Sequence, residues 1–285
     1  MSATSLLELD GLRHEYSDTG DPGDGRAPLL FLHEGLGSVG LWRGFPERIA
    51  AESGRRAVAY SRLGHGRSDR PRTPRTTTFM ATEATTTVPT LCAALGLERP
   101  ILVGHSDGGT IALLAGRGDA GERVVVLAPH VLTEPFALTA IRAARTAFTE
   151  GDLRTRMARH HDDPDTTFHG WNDMWLAEEF TSWDVRDALA GITAPVLGLQ
   201  GDDDPYGSIV HVRAVEERAS GPVTVTELPC GHAPTWSSPT RPPPRSPGSS
   251  TPCPDPVPPR SRVRARIRGA RATRRARGPV PRADA

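Results

Sequence analysis

The chain places a serine at the centre of a G-x-S-x-G pattern, in Ile101-Leu102-Val103-Gly104-His105-Ser106-Asp107-Gly108-Gly109. An apolar run leads in and a small-residue helical stretch leads out. The backbone must reverse sharply between them, which strains the central residue. Small residues two places to either side avoid collision there. Such a turn lifts the Ser106 hydroxyl clear of a sheet edge. It also aims the Asp107 N–H, at the start of a helix, toward a developing oxyanion. Ser106 is therefore the candidate nucleophile. The plainer reading is an ordinary glycine turn between strand and helix, since the motif alone is short. The flanking strand, the flanking helix and the extra Gly109 favour the chemical reading.

A serine hydroxyl needs a base, and the base needs a carboxylate to orient it. On a strand-to-helix elbow the partners follow in the order acid, then histidine. Of ten histidines, only His211 and His232 follow the strand-like run at 195–200. His211 lies in a helical stretch, 209–218, with acidic neighbours, and is expected at the surface. His232 lies in Leu228-Pro229-Cys230-Gly231-His232-Ala233-Pro234, a turn just past a strand, where a base would overhang the sheet. The acid should end a strand. Gly201-Asp202-Asp203-Asp204-Pro205 does so, with three adjacent aspartates that chemistry alone does not separate.

These residues need a frame. Runs 5–9 and 12–16 read as strands joined by a turn at Asp10-Gly11. Further strands are expected at 28–33, 56–61, 100–104, 123–128, 195–200 and 223–228. Helical patterns are expected at 41–53, 82–95, 109–116 and 209–218. Strands alternating with helices imply a mostly parallel sheet covered on both faces. Residues 133–190 break the rhythm with helices and polar turns.

Taken together, the elbow, the aspartate turn and the histidine turn resemble the α/β-hydrolase superfamily, in its small-molecule esterase and lactonase-like branch. The resemblance spans residues 5–234. It implies a hydrolase core over 1–132 and 191–234, with a helical cap over 133–190. The family's acid motif, G-x-x-D, selects Asp204. Its oxyanion loop follows the third strand and usually contains His-Gly. Here Phe31-Leu32-His33-Glu34-Gly35-Leu36-Gly37-Ser38 is similar, with Glu34 intruding. The implied oxyanion hole is the N–H groups of Asp107 and Leu36, with Gly35 the alternative to Leu36. The turn at 63–69 resembles a loop that is structural in the family. In the cap, Phe168, Trp171, Trp175 and Trp183 either line an acyl pocket, with Trp171 and Trp175 the chosen substrate-binding pair, or pack the cap onto the core. His160 and His161 are expected to be exposed.

The implied reaction is hydrolysis of an ester, lactone or thioester of a small metabolite, through an acyl-enzyme on Ser106, with neither metal nor redox cofactor. Alternatives on the same fold are C–C bond hydrolysis and acyl transfer to another acceptor. A competing motif is Gly35-Leu36-Gly37-Ser38-Val39-Gly40, a G-x-G-x-x-G after a strand. With Arg62 closing the next strand, it would suggest an NADP-binding reductase. That reading leaves Ser106, Asp204 and His232 unexplained.

Composition adds a second theme. The net charge of the 285-residue chain is zero, and every basic residue is arginine. Residues 241–285 hold 12 Arg and 2 Asp, leaving 22 basic and 32 acidic residues in 1–240. The three cysteines, Cys92, Cys230 and Cys253, make no CxxC pair, which fits a reducing cytoplasm. No apolar leader and no run of about 18 apolar residues occurs, so no membrane association is expected. Partners are expected to be a small acyl substrate and water, without nucleic acid.

Residues 235–285, rich in Pro, Ser and Arg, are expected to be a disordered tail, where the family has a long helix. One reading is a basic arm for nucleic acid or an acidic surface on a non-catalytic binding protein. The other is a reading-frame change. Back-translating 235–251 with suitable codons, one nucleotide upstream, allows an amphipathic helix, beginning His-Leu-Glu-Gln-Pro-Asp-Ala. A one-nucleotide loss near codon 234 would then have replaced the last helix and impaired the enzyme.

Overall fold

The structure is a computed structural model that describes residues 3–20, 23–118 and 120–233. The basic tail and the proposed frame change lie outside the described residues, as does Cys253.

The short apolar runs form one sheet of eight strands, ordered β1-β2-β4-β3-β5-β6-β7-β8. β1 (Thr4–Leu9) and β2 (Leu12–Asp18) form the antiparallel hairpin read from Asp10-Gly11. β2 then pairs antiparallel with β4 (Ala57–Tyr60). From there the sheet is parallel: β3 (Leu29–Leu32), β5 (Ile101–His105), β6 (Arg123–Leu127), β7 (Val196–Gly201) and β8 (Val223–Leu228). This is the α/β-hydrolase architecture expected from sequence.

Successive side chains of a strand point to opposite faces, and the core divides accordingly. Leu30, Leu32, Val58, Tyr60, Leu102, Val124 and Val126 enter one apolar cluster. Their neighbours Leu29, Phe31, Ala57, Ala59, Ile101 and Val103 enter the other, with Trp42, Phe45 and Ile49. Both faces must therefore be covered, which is why β3, β4 and β5 are buried throughout. β8 differs: none of its six residues is fully buried among the described residues.

The expected helix at 41–53 is two pieces, a 3-10 turn at Val39–Trp42 and α1 (Phe45–Ser53). Arg43 and Gly44, both at positive φ, separate them. The pattern at 82–95 becomes α2 (Phe79–Thr82), a π-helical turn at Glu83–Thr87, and α3 (Val88–Leu95). The next helix starts two residues earlier than expected, as α4 (Asp107–Ala115), with all nine residues buried.

Between β6 and β7 lie α5 (Pro135–Thr149), α6 (Leu153–Met157), α7 (Pro164–Trp175) and 3-10 turns at Glu178–Ser182 and Arg186–Gly191. α8 (Val210–Arg218) packs on β7 and β8. Among the described residues no helix is long and apolar enough to cross a membrane.

α4 crosses the sheet at glycine contacts. A Cβ on Gly108 would collide with the Leu32 carbonyl oxygen, and one on Gly104 with the Gly108 carbonyl oxygen. Backbone on both sides of each contact leaves no flexible side chain to yield. Gly108→Ala is expected to destabilise the protein by about 3 kcal/mol, against a typical total of about 5–15 kcal/mol. Urea denaturation measures this; an unchanged midpoint would contradict the crossing geometry.

Candidate active site

Ser106 joins β5 to α4 with φ 54° and ψ −120°. A non-glycine residue there is strained, and the tight glycine crossing holds it in place. Ser106 N–H donates to the Leu127 carbonyl at 2.9 Å, which anchors the elbow to β6. The first N–H groups of α4, beginning at Asp107, have no partner within the helix. They form a positive end beside the serine.

Asp204 follows the end of β7 and His232 follows β8. Parallel pairing of β7 with β8 brings these two loops together. His232 Nδ1 lies 2.9 and 2.8 Å from the two Asp204 carboxylate oxygens. The Asp204 oxygens also accept from Gln200 Nε2 at 2.8 Å and from the Tyr206 N–H at 2.8 Å. Burial pushes the Asp204 carboxyl up, but the hydrogen bonds from His232, Tyr206 and Gln200 outweigh it and hold it below the usual range. An ionised Asp204 accepts from Nδ1–H and leaves the Nε2 lone pair of His232 for a proton. Asp202 and Asp203 are exposed.

Ser106, His232, Asp107 and Leu36 border one cavity of about 240 Å³. Trp171 and Trp175 line it as well. Trp175 Nε1 donates to Asp107 Oδ1 at 3.2 Å, and its ring meets His130 edge-on at 5.1 Å. The other two aromatics fall to the packing alternative. Phe168 is fully buried and stacks on Phe148, and Trp183 stacks on Phe180.

Glu34 borders the same cavity. Burial, reinforced by the nearby Asp107 carboxyl, raises its pKa to about 6 against the opposing pull of Arg62, the Leu36 N–H and His232. Its Oε2 has no hydrogen-bond partner among the described residues. Burial likewise raises Asp107. The intruding residue thus puts a second carboxyl beside the Leu36 donor.

Two expectations need correction, and the competing reductase reading is tested by a third residue. His211 is not a surface residue: it is fully buried, accepts from the Val131 N–H at 3.3 Å and sits 2.9 Å from Glu134 Oε2. The acidic neighbour in space is a residue from before α5, not from its own helix. His161 is buried, while His160 is exposed. Arg62 is buried too, and its Nη1 and Nη2 donate to the His33 and Glu34 carbonyls at 2.6 and 2.9 Å. It is not free for a ribose phosphate, and the glycines at 35–40 open only the four-residue 3-10 turn Val39–Trp42 rather than an α-helix, α1 beginning at Phe45. The reductase reading therefore fails on geometry.

Sequence reading missed the residues that hold the site. His105 Nε2 lies 2.7 Å from the His232 carbonyl oxygen, and burial lowers the His105 pKa to about 3. The neutral ring donates there and ties the His232 loop to the elbow. Its position inside G-x-S-x-G was the available signal. Gln200, at the end of β7, had none.

A family model described as the alpha/beta hydrolase family matches residues 29–242. A non-heme chloroperoxidase from Streptomyces lividans is 30% identical over 244 residues, covering 71% of this chain and 83% of that protein. Proline iminopeptidase from Lactobacillus delbrueckii subsp. lactis is 36% identical over 89 residues, 31% of this chain. That match spans only 30% of the iminopeptidase. The crystal structure of the enol-lactonase from Burkholderia xenovorans LB400 superimposes with a TM-score of 0.60 at 22% identity. It covers 80% of this chain and 92% of the lactonase.

Glu34 makes stability depend on pH in a definite direction. Its folded pKa lies above its unfolded value, so the native state binds the extra proton. The stabilisation is full below the ordinary glutamate range and is lost as pH rises through about 6. Across a shift of that size the loss is on the order of 2 kcal/mol. Glu34→Gln is expected to remove this dependence between pH 4.5 and 7.5, read from denaturation midpoints. Parallel profiles for the two proteins would refute the assignment.

Proposed function

The chain belongs to the alpha/beta hydrolase family, and from that premise we propose that it is a serine hydrolase acting on an ester, lactone or thioester of a small metabolite. The observation that carries this reading is the convergence of Ser106 and the Asp204-paired His232 on one cavity. A volume of about 240 Å³ lies below the ~300–1,000 Å³ of drug-sized ligand sites. The substrate is accordingly small, with Trp171 and Trp175 as apolar walls for its acyl part and the segment over 133–190 as the cap that supplies them.

In this reading His232 Nε2 takes the proton as Ser106 Oγ attacks the carbonyl carbon. The Nδ1–H to Asp204 bond fixes the tautomer that makes Nε2 basic and stabilises the imidazolium once it forms. The Asp107 N–H and an N–H of the 35–36 loop hold the oxyanion. The imidazolium then protonates the leaving group, leaving an acyl ester on Ser106. His232 next deprotonates a water, whose attack releases the acid and restores the serine. Because the elbow and the helix start are preset, little reorganisation accompanies charge development.

A fluorophosphonate probe tests the assignment. The wild-type chain is expected to label and Ser106→Ala is not; equal labelling of both would exclude Ser106 as nucleophile. Asp204→Asn is expected to lower kcat on a small ester by about 10³–10⁴-fold while the protein stays folded. A loss of less than about tenfold would remove Asp204 from the role.

A further inference from the structure

The loop that carries the second oxyanion donor is held in an unusual way. Three consecutive carbonyls each meet an imidazole. His33 Nδ1 lies 2.7 Å from the Glu34 oxygen, His65 Nε2 lies 3.0 Å from the Gly35 oxygen, and His161 Nε2 lies 2.9 Å from the Leu36 oxygen. A carbonyl only accepts, so each of these nitrogens carries the hydrogen.

The opposite nitrogen of each ring faces a donor. Arg62 N–H donates to His33 Nε2 at 3.0 Å, Arg75 Nη2 to His65 Nδ1 at 3.0 Å, and Gly66 N–H to His161 Nδ1 at 2.9 Å. His33 and His161 are therefore neutral tautomers fixed from both sides, whereas His65 Nδ1 also lies 3.1 Å from the Leu63 carbonyl oxygen, itself an acceptor from Arg75 Nη2 at 3.0 Å, so His65 is fixed through its Nε2 contact alone. In those two rings a second proton would set one N–H against another. The rings are buried and sit in a row, with centroids 4.8 Å apart from His33 to His65 and 6.0 Å from His65 to His161. Burial lowers the pKa of all three.

The consequence for the loop follows from peptide planarity. In a trans peptide the C=O of one residue and the N–H of the next point in opposite directions. Fixing the Glu34 oxygen aims the Gly35 N–H, and fixing the Gly35 oxygen aims the Leu36 N–H. Fixing the Leu36 oxygen locks the far side of the same residue. Both candidate donors are thus oriented from behind.

We propose that His33, His65 and His161 are positioning residues for the oxyanion loop, with His161 carrying the restraint from the inserted helical segment between β6 and β7. The row rests on the serine-hydrolase reading for its purpose, but its hydrogen bonds do not. None of the three touches the reacting atoms; they act through the backbone of residues 34–36. His161 is the distinctive member, because one ring joins the oxyanion loop, the turn after β4 and the chain between α6 and α7.

The experiment compares two amide variants of the full chain. His161→Gln keeps an N–H near the Nε2 position and can still donate to the Leu36 oxygen. His161→Asn keeps a polar group near Nδ1 but cannot reach that oxygen. On a p-nitrophenyl ester, His161→Asn is expected to lower kcat by about tenfold or more, with KM within about twofold, since the lost alignment acts in the transition state. His161→Gln should stay within about threefold of wild type. Equal kcat for two folded variants would overturn the proposal, as would a loss confined to KM.

Histidine ¹⁵N shifts of the wild-type chain at neutral pH give a second reading that needs no variant. Nδ1–H on His33 and Nε2–H on His65 and His161 are expected; any reversed or doubly protonated ring would overturn the row. A wild-type chain that shows these tautomers but hydrolyses no ester and takes no fluorophosphonate would sink the hydrolase reading and the row's purpose, while leaving the hydrogen bonds in place.

Discussion

The close approach of α4 to the sheet governs the site. Gly104 and Gly108 let the helix backbone come within carbonyl contact of β3 and β5, and the chain can make that approach only by turning through a positive φ at Ser106. The strain at the serine is therefore set by packing beneath it. The buried face of α4 and the two apolar clusters hold the strained turn, because relaxing it would lift a wholly buried helix off the core. Everything else at the site is arranged around a hydroxyl whose place is fixed in this way.

Around it, the polar groups are buried more deeply than is usual for charged and titratable side chains. Arg62, Asp107, His105 and three further histidines sit within the protein, and each has an identifiable backbone or side-chain partner. Buried polar groups cost free energy unless they are hydrogen-bonded. Here the partners are mostly backbone carbonyls of loops bordering the candidate site. The cost of burying these groups is offset by bonds that also fix loop geometry, so the same interactions stabilise and orient. The satisfaction is incomplete: among the described residues Glu34 Oε2, Asp107 Oδ2 and Arg62 Nε are buried without a hydrogen-bond partner.

The fold was largely readable because its signals are local. Alternating apolar runs, the Asp10-Gly11 turn and the small residues around Ser106 each act within a few positions, and the strands they predict are present. The turn after β8 that holds His232 was readable from its sequence, whereas Asp204 rested on family resemblance rather than chemistry, since Asp202 and Asp203 are equivalent in sequence; the two side chains meet. The errors concern long-range burial. Nothing adjacent to His211 announces Glu134, and nothing adjacent to His161 announces Leu36 or Gly66. Arg62 was noticed for its charge, but its partners are carbonyls of a neighbouring loop. Two of the four aromatics singled out in residues 133–190 line the cavity because only one side of α7 faces it; Phe168, on the same helix, turns to Phe148.

Trp171 lies against Gly35 so closely that its indole fills the space a side chain at that position would need, and Trp175 is bonded through its N–H to Asp107. One indole therefore rests on each half of the proposed oxyanion hole. Among the described residues the remaining tryptophans, Trp42 and Trp183, are packed against Phe31 and Phe180, outside the cavity. Indole emission responds to local polarity and to nearby charge. On the proposed function the cavity contains its own optical reporter: an acyl group on Ser106 would change the surroundings of two of these four fluorophores at once, with no label added.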